Sequence, residues 1–231
     1  MFFECKSLLK IPELNTSNGT NFKYMFFSCE SLTEIPEIDT SNGTIFDGTF
    51  HGCKNLKHIP EIDTSQGVNF NGLFGLCKSL LDVPKLNTSN GTNFRSMFYG
   101  CDKLTYIPEI DARKGTDFVY MFGNCYSLIT IEKIILNSAK TSTMSAMFYD
   151  CKLLENIIIE GTIKVDENWY MTPLHLLPNA LTVDSLMSFI NAFEDNTGEE
   201  TQYTVTFGAT NLAKLNPEQI AVATNKNILL A

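Results

Sequence analysis

The chain has 231 residues, 44% of them hydrophobic, and a formal net charge of −9. That apolar share excludes a disordered chain, and an acidic balance with no basic stripe disfavours nucleic acid as a partner. No run of about 18 apolar residues is present to span a bilayer.

From Met1 onward the dominant signal is a 24-residue period. It aligns Phe2, Phe26, Phe50, Phe74, Phe98 and Phe122, then Cys5, Cys29, Cys53, Cys77, Cys101 and Cys125, then Leu8, Leu32, Leu56, Leu80, Leu104 and Leu128. The stretch "LNTSNGTNF" stands at residues 14 to 22 and again at 86 to 94, three periods on. A seventh copy with Phe148, Cys151 and Leu154 follows two residues late, and the extra residues are expected within 132 to 143. A period of this length marks stacked coils, which grow by addition and need no second core. Met1 shares its repeat position with Met25, Met97, Met121 and Met147, so the chain opens at a repeat boundary with no cap. Uncapped coils expose core side chains, so a start internal to a longer protein is expected, with any export signal upstream.

Within one repeat, residues 25 to 48, Met25, Phe26, Cys29 and Leu32 have the spacing of a short helix or 3₁₀ turn facing inward. Leu32, Ile35 and Ile38 predict an extended segment over 33 to 39, in which Pro36 forbids helix. Pro12, Pro36, Pro60, Pro84 and Pro108 each remove a ladder donor. Inward Ile35 and Ile38 cannot alternate strictly, which predicts a bulge at Pro36-Glu37. Asn42-Gly43 reads as a turn in which Gly accepts positive φ, and Phe46 returns to the core.

The pattern MFxxCxxLxxIPxIDTSNGTxF resembles the BspA-like leucine-rich repeats across residues 1 to about 131, and more loosely to about 160. That resemblance implies an α/β repeat solenoid: a right-handed, leucine-rich-repeat-like superhelix with a parallel β ladder on one face and short 3₁₀ or α turns on the other. It also implies a cell-surface or secreted protein of a host-associated microbe, engaged in adhesion or host contact.

Past residue 162 the period is lost, dividing the chain into an array over 1–162 and an α/β capping region over 163–231. In the latter, residues 181 to 193 place Leu186, Met187, Ile190 and Phe193 on one helical face with Asp184 as N-cap. Residues 201 to 207 alternate as a strand. Asn216-Pro217-Glu218-Gln219 reads as an N-cap, a proline at the first helical position and an acidic first turn. Two helices and a short strand are therefore expected to close the array.

For chemistry, seven cysteines at one repeat position form a column spaced about 4.8 Å. Such a column fits small buried hydrophobes better than disulfides, which need Cβ atoms about 3.8 Å apart, or zinc, which needs four converging ligands. The aligned Asn, Asp, Thr and Ser rows at residues 15–17, 39–41, 63–65 and 87–89 serve stacked turns. A carboxylate column near 5 Å is a poor cation shell. His51, His58 and His175 belong to no catalytic motif, and His51 and His58 are expected in solvent. No catalytic residue, metal or cofactor is expected. What remains is the outer ladder face: Glu13, Glu37, Glu61, Lys85 and Glu109, flanked by the varying Glu34, His58, Asp82 and Tyr106 with Lys10. Variable rows on a fixed frame are where stacked repeats read partners. The expected function is non-catalytic recognition of a protein or glycoconjugate, the alternative a structural spacer.

Overall fold

A computed structural model describes residues 1–137, 139–164, 178, 180–200 and 202–231. Parallel bridges join Asn21 to Ile45, Ile45 to Asn69, Asn69 to Asn93 and Asn93 to Asp117, so each 24-residue coil lies on the next in register. Regular strands begin in the fifth coil. There β1 (Tyr106–Ile107) and β2 (Ile110–Asp111) both pair in parallel with β3 (Thr130–Ile135), which pairs on its other side with β5 (Asn156–Glu160).

Proline explains where the strands are whole and where they break. β1 and β2 are separated by Pro108-Glu109, whereas β3 carries Glu132-Lys133 at those positions and runs unbroken. Its pairing with β5 shifts register between Ile131 and Ile134, where the seventh coil has Ile158 alone. Both irregularities fall at the equivalents of Pro36-Glu37, because a residue without an N–H cannot extend the ladder. In the first four coils the equivalent segment forms no regular strand.

The opposite segment departs from expectation. Residues 22 to 29 form no helical turn. Phe22, Tyr24, Phe26 and Ser28 donate their N–H groups to the carbonyls of Ile45, Asp47, Thr49 and His51 in the next coil at 2.7–2.9 Å. The intervening Met25 and Cys29 N–H groups close turns on Phe22 and Phe26 at 3.1 Å. A helix would use every N–H internally and leave none for the neighbour. Instead, two positions four residues apart in each such segment take left-handed backbone, as at Tyr24 and Ser28 (both φ 54°), Gly48 and Gly52, or Gly72 and Leu76. Among the described residues of the array, only Thr141–Met144 is a 3₁₀ helix, directly after the short strand β4 (Ala139–Lys140). Ala112 N–H bonds to Ile135 and Phe118 N–H to Thr143, so the two inserted residues lie between 135 and 143.

Gly43 is required for a reason other than the expected one. Its φ is not positive. A Cβ there would stand 2.6 Å from the Phe46 ring and 2.9 Å from the Thr40 carbonyl, so the tight turn closes directly over the core aromatic.

The core is columnar. Phe2, Phe26, Phe50, Phe74, Phe98, Phe122 and Phe148 stack with centroids 5.5–5.8 Å apart. A second column runs Phe22, Phe46, Phe70, Phe94, Phe118 at 5.6–5.8 Å. Rings at that spacing sit in the offset-stacked range and add to the area each buries. Leu32, Leu56, Leu80, Leu104, Leu128 and Leu154 are fully buried beside them. Thr40, Thr64 and Thr88, all buried, donate to the carbonyls of Asp63, Asn87 and Asp111, satisfying backbone groups between coils.

All seven cysteines are free, and six are buried. The thiols of Cys29, Cys53, Cys77, Cys101, Cys125 and Cys151 each donate to a Phe carbonyl in the coil above, at 2.9–3.2 Å. The column is thus polar-satisfied as well as apolar. Cys5 is exposed, contrary to expectation, because the first coil has none stacked above it.

The tail covers the seventh coil. β6 (Ile163–Lys164) pairs with β4, and α1 (Val183–Ala192) packs on β5. The Ile157 and Ile159 N–H groups donate to the hydroxyls of Ser185 and Ser188, so a helix face finishes the ladder edge. The N-cap of α1 is Thr182, not Asp184: Thr182 accepts from Ser185 N–H, and Asp184 sits in the first turn, where its negative charge is attracted to the positive end of the helix dipole. At the other end, the Lys226 ammonium donates to the carbonyls of Phe193 (2.6 Å) and Asn191 (2.7 Å). Burial lowers its pKa. β7 (Tyr203–Val205) and β8 (Ile228–Leu230) pair in parallel, and between them lie α2 (Ala209–Leu212) and α3 (Pro217–Thr224). α3 opens as expected, with Asn216 and Gln219 in a reciprocal capping box and Pro217 at the start. The helix α2 and strand β8 were not foreseen.

Candidate functional site

The outer ladder rows resolve into two kinds of residue. Most are tied to the coil above or below: Lys10 to Glu34 at 2.7 Å, His58 to Asp82 at 2.8 Å, and Lys85 to Glu109 at 3.9 Å. Lys133 continues that row, 3.5 Å from Glu109 and 3.0 Å from Glu160. The Tyr106 hydroxyl donates to Glu132 at 2.8 Å, and Glu109 N–H reaches the same oxygen at 3.2 Å. These donors hold the Glu132 carboxyl below its ordinary pKa, and the Tyr106 phenol is raised by the same contact. Exposed pairs of this kind are screened by solvent and add little to stability, so they set the pattern of the face.

Glu13, Glu37 and Glu61 are the second kind. They stand one above another in three successive coils, exposed, and among the described residues none pairs with a cation. Of the nine expected ladder-face residues, Glu34, His58, Asp82, Lys85, Glu109 and Tyr106 are engaged within the array, and these three carboxylates are left for solvent. Sequence reasoning missed that division. Its signal is opposite charge at a separation of one period, as in Lys10 and Glu34 or Lys85 and Glu109.

The same face holds a groove of about 420 Å³ where β1, β3 and β5 meet the first turn of α1. Tyr106 and Glu132 line one side, Asn156 and Ile158 the floor, and Thr182 and Asp184 the other side. Only Tyr106 was anticipated. Glu132 and Ile158 stand where earlier coils carry the Pro-Glu pair, so loss of that pair was the available signal.

The buried cysteines and His51 serve the core rather than chemistry. Burial raises the Cys77 thiol to about 12 and pushes Cys53, Cys101 and Cys125 well above their usual value, so all four stay protonated near neutral pH. His51 is half-buried rather than solvent-exposed: its ring stacks on Phe27 at 4.9 Å with planes 6° apart, and burial lowers its pKa. His58 lies in solvent, and His175 falls outside the described residues. Among the described residues no three His, Cys, Asp or Glu side chains gather to hold a metal, and no helix is long and apolar enough to cross a membrane.

No curated protein and no solved structure matches the chain. One family model does, over residues 1–106 and again over 71–168. Together those spans take in every coil and stop before α1, so what they recognise is the repeat itself. The chain belongs to the family described as Mycoplasma protein of unknown function, DUF285.

Proposed function

We propose that this protein is a non-catalytic recognition module, a BspA-like leucine-rich-repeat solenoid of right-handed sense whose acidic ladder face binds a protein or glycoconjugate. Adhesion or host contact at a cell surface, or by a secreted form, is the setting that this reading implies. The observation that carries it is the Glu13, Glu37, Glu61 row. Neighbouring charges on the face neutralise one another, while these three remain exposed and like-charged across adjacent coils. Stacking like charges at about 5 Å opposes folding, and a basic partner would relieve that repulsion. Attraction of this kind is screened by salt.

Replacing Glu13, Glu37 and Glu61 together with Lys tests it. Attachment of the full chain to cultured epithelial cells is measured by flow cytometry at low and raised salt. The native protein is expected to attach in a salt-weakened manner, and the triple variant to lose at least about tenfold while its thermal unfolding is unchanged. Equal attachment by both proteins would favour the spacer reading instead. Glu109 is left intact because it already neutralises Lys85 and Lys133.

A further inference from the structure

The groove between β1, β3, β5 and α1 has an apolar floor between two acidic walls. Ile158 makes the floor. Coils one to five carry a Pro-Glu or Pro-Lys pair in that row and the sixth carries Glu132-Lys133, but the seventh has Ile158 alone. It is 54% exposed between the buried Ile157 and Ile159, so it contributes little to the interior, and it shares the groove with the half-exposed Tyr106. Both walls are fixed by hydrogen bonds. Thr182 N–H bonds to the Glu155 carbonyl as Asn156 N–H does to Ile129, so Thr182 extends the column of Tyr106, Thr130 and Asn156 by one coil. Asp184 follows two residues later and flanks Ile158 on the side away from Glu132. Ser185 holds that turn, accepting from Ile157 N–H and donating to the Glu155 carbonyl, both at 3.0 Å. On the opposite wall, Glu132 Oε2 accepts from the Tyr106 hydroxyl and Glu109 N–H, and Oε1 accepts from nothing among the described residues. Neither Glu132 nor Asp184 has an ion-pair partner among the described residues. No Lys, Arg or His lines the groove.

We propose that this groove receives a basic segment of a partner protein, in which two arginines flank an apolar residue at alternate positions, as in Arg-x-Leu-x-Arg. Alternate side chains of an extended segment share one face, so the leucine meets Ile158 while the guanidinium groups reach Glu132 and Asp184. Residues four apart in such a segment lie about 13–14 Å apart, and rows two coils apart about 10 Å, a difference that the long arginine stem spans. Arginine suits the Glu132 wall better than lysine. A guanidinium can pair with the open Oε1 and lie against the Tyr106 ring at the same time. This inference rests on the reading of the ladder face as a recognition surface. It names the partner's chemistry at the α1 end of that face, apart from the Glu13, Glu37, Glu61 row.

The probe is a blocked heptapeptide, Gly-Arg-Ser-Leu-Ser-Arg-Gly, titrated into the full 231-residue chain and followed by amide NMR. Saturable shifts are expected at Asn156, Ile158 and Asp184. Glu132→Gln combined with Asp184→Asn should weaken binding at least about tenfold. Thermal unfolding should change little, because Gln still offers an oxygen to the Tyr106 hydroxyl and Glu109 N–H. Serine in place of the peptide's leucine should weaken binding about tenfold, having lost the contact with Ile158. No saturable binding, or equal binding by the doubly neutralised variant or by the serine peptide, would overturn the proposal. Shifts confined to Glu13, Glu37 and Glu61 would overturn it too, while leaving the acidic face standing as a recognition surface. Groove shifts alongside cell attachment that ignores those three residues would support the groove and fault the row.

Discussion

Phe74→Ala is expected to destabilise the protein by about 3–5 kcal/mol, measured by urea unfolding. The ring is fully buried in the fourth coil, stacked 5.8 Å from Phe50 and 5.5 Å from Phe98. Removing it leaves a void with a rung missing on both sides, and the coils cannot close over it. The hydrogen bonds that space them, such as Phe50 N–H to Leu73 and Phe74 N–H to Met97, would have to break first. Phe3→Ala is the matched control. That ring is 51% exposed and stacks on Phe27 alone along its row, so its loss should cost less than about 1 kcal/mol. Similar costs for the two variants would mean that the Phe74 ring is not enclosed by its neighbours.

Gly161→Ala should cost about 3 kcal/mol, for two reasons that act together. Gly161 has φ +96°, a conformation that L side chains rarely adopt. An added Cβ would also run into the Leu136 carbonyl of the coil above, which is backbone and cannot swing away. Leu136 N–H is meanwhile fixed to the Glu160 carbonyl at 2.8 Å. The methyl group therefore forces apart the sixth and seventh coils where β5 passes into β6. Strain and overpacking each contribute on the order of 1–3 kcal/mol. Gly198→Ala, with nothing within 4 Å of the added atom, should shift stability by less than about 0.5 kcal/mol. Equal, small effects at both glycines would contradict the close approach of these coils.

The columns of Phe, Leu and Cys were legible because period and residue type coincide at each of them. The proline rule located the breaks in the ladder for the same reason: a missing N–H acts locally, and its consequence can be read without coordinates. The turn segment was misread as helical. Met25, Phe26, Cys29 and Leu32 have the i, i+3, i+4 spacing of an inward-facing helix. Yet the decisive fact is which carbonyls receive the Phe22, Tyr24, Phe26 and Ser28 N–H groups. Those acceptors lie in the next coil, and spacing within one coil cannot reveal them. Gly43 shows the same limit, since its purpose is the ring of Phe46 beneath it and not its own φ. In the tail, Asp184 and Thr182 are both good capping residues. The choice between them depends on the turn that brings Thr182 onto Ser185, with its hydroxyl also within 2.9 Å of that serine's own. The candidate site was half visible. Its rows were placed, but its free carboxylates emerged only once each charge was followed to its partner one coil away.

Thiol reactivity in the native state probes the stacking most directly. Six cysteines point inward and donate to carbonyls of the coil above, and Cys5 alone is exposed. With an aromatic disulfide reagent at neutral pH, one thiol per chain is expected to react at once, and the other six only as the protein unfolds in denaturant. Cys5→Ser should abolish the rapid phase. Two or more thiols reacting rapidly in the folded protein, or a rapid phase that survives Cys5→Ser, would contradict coils stacked in register around a common interior.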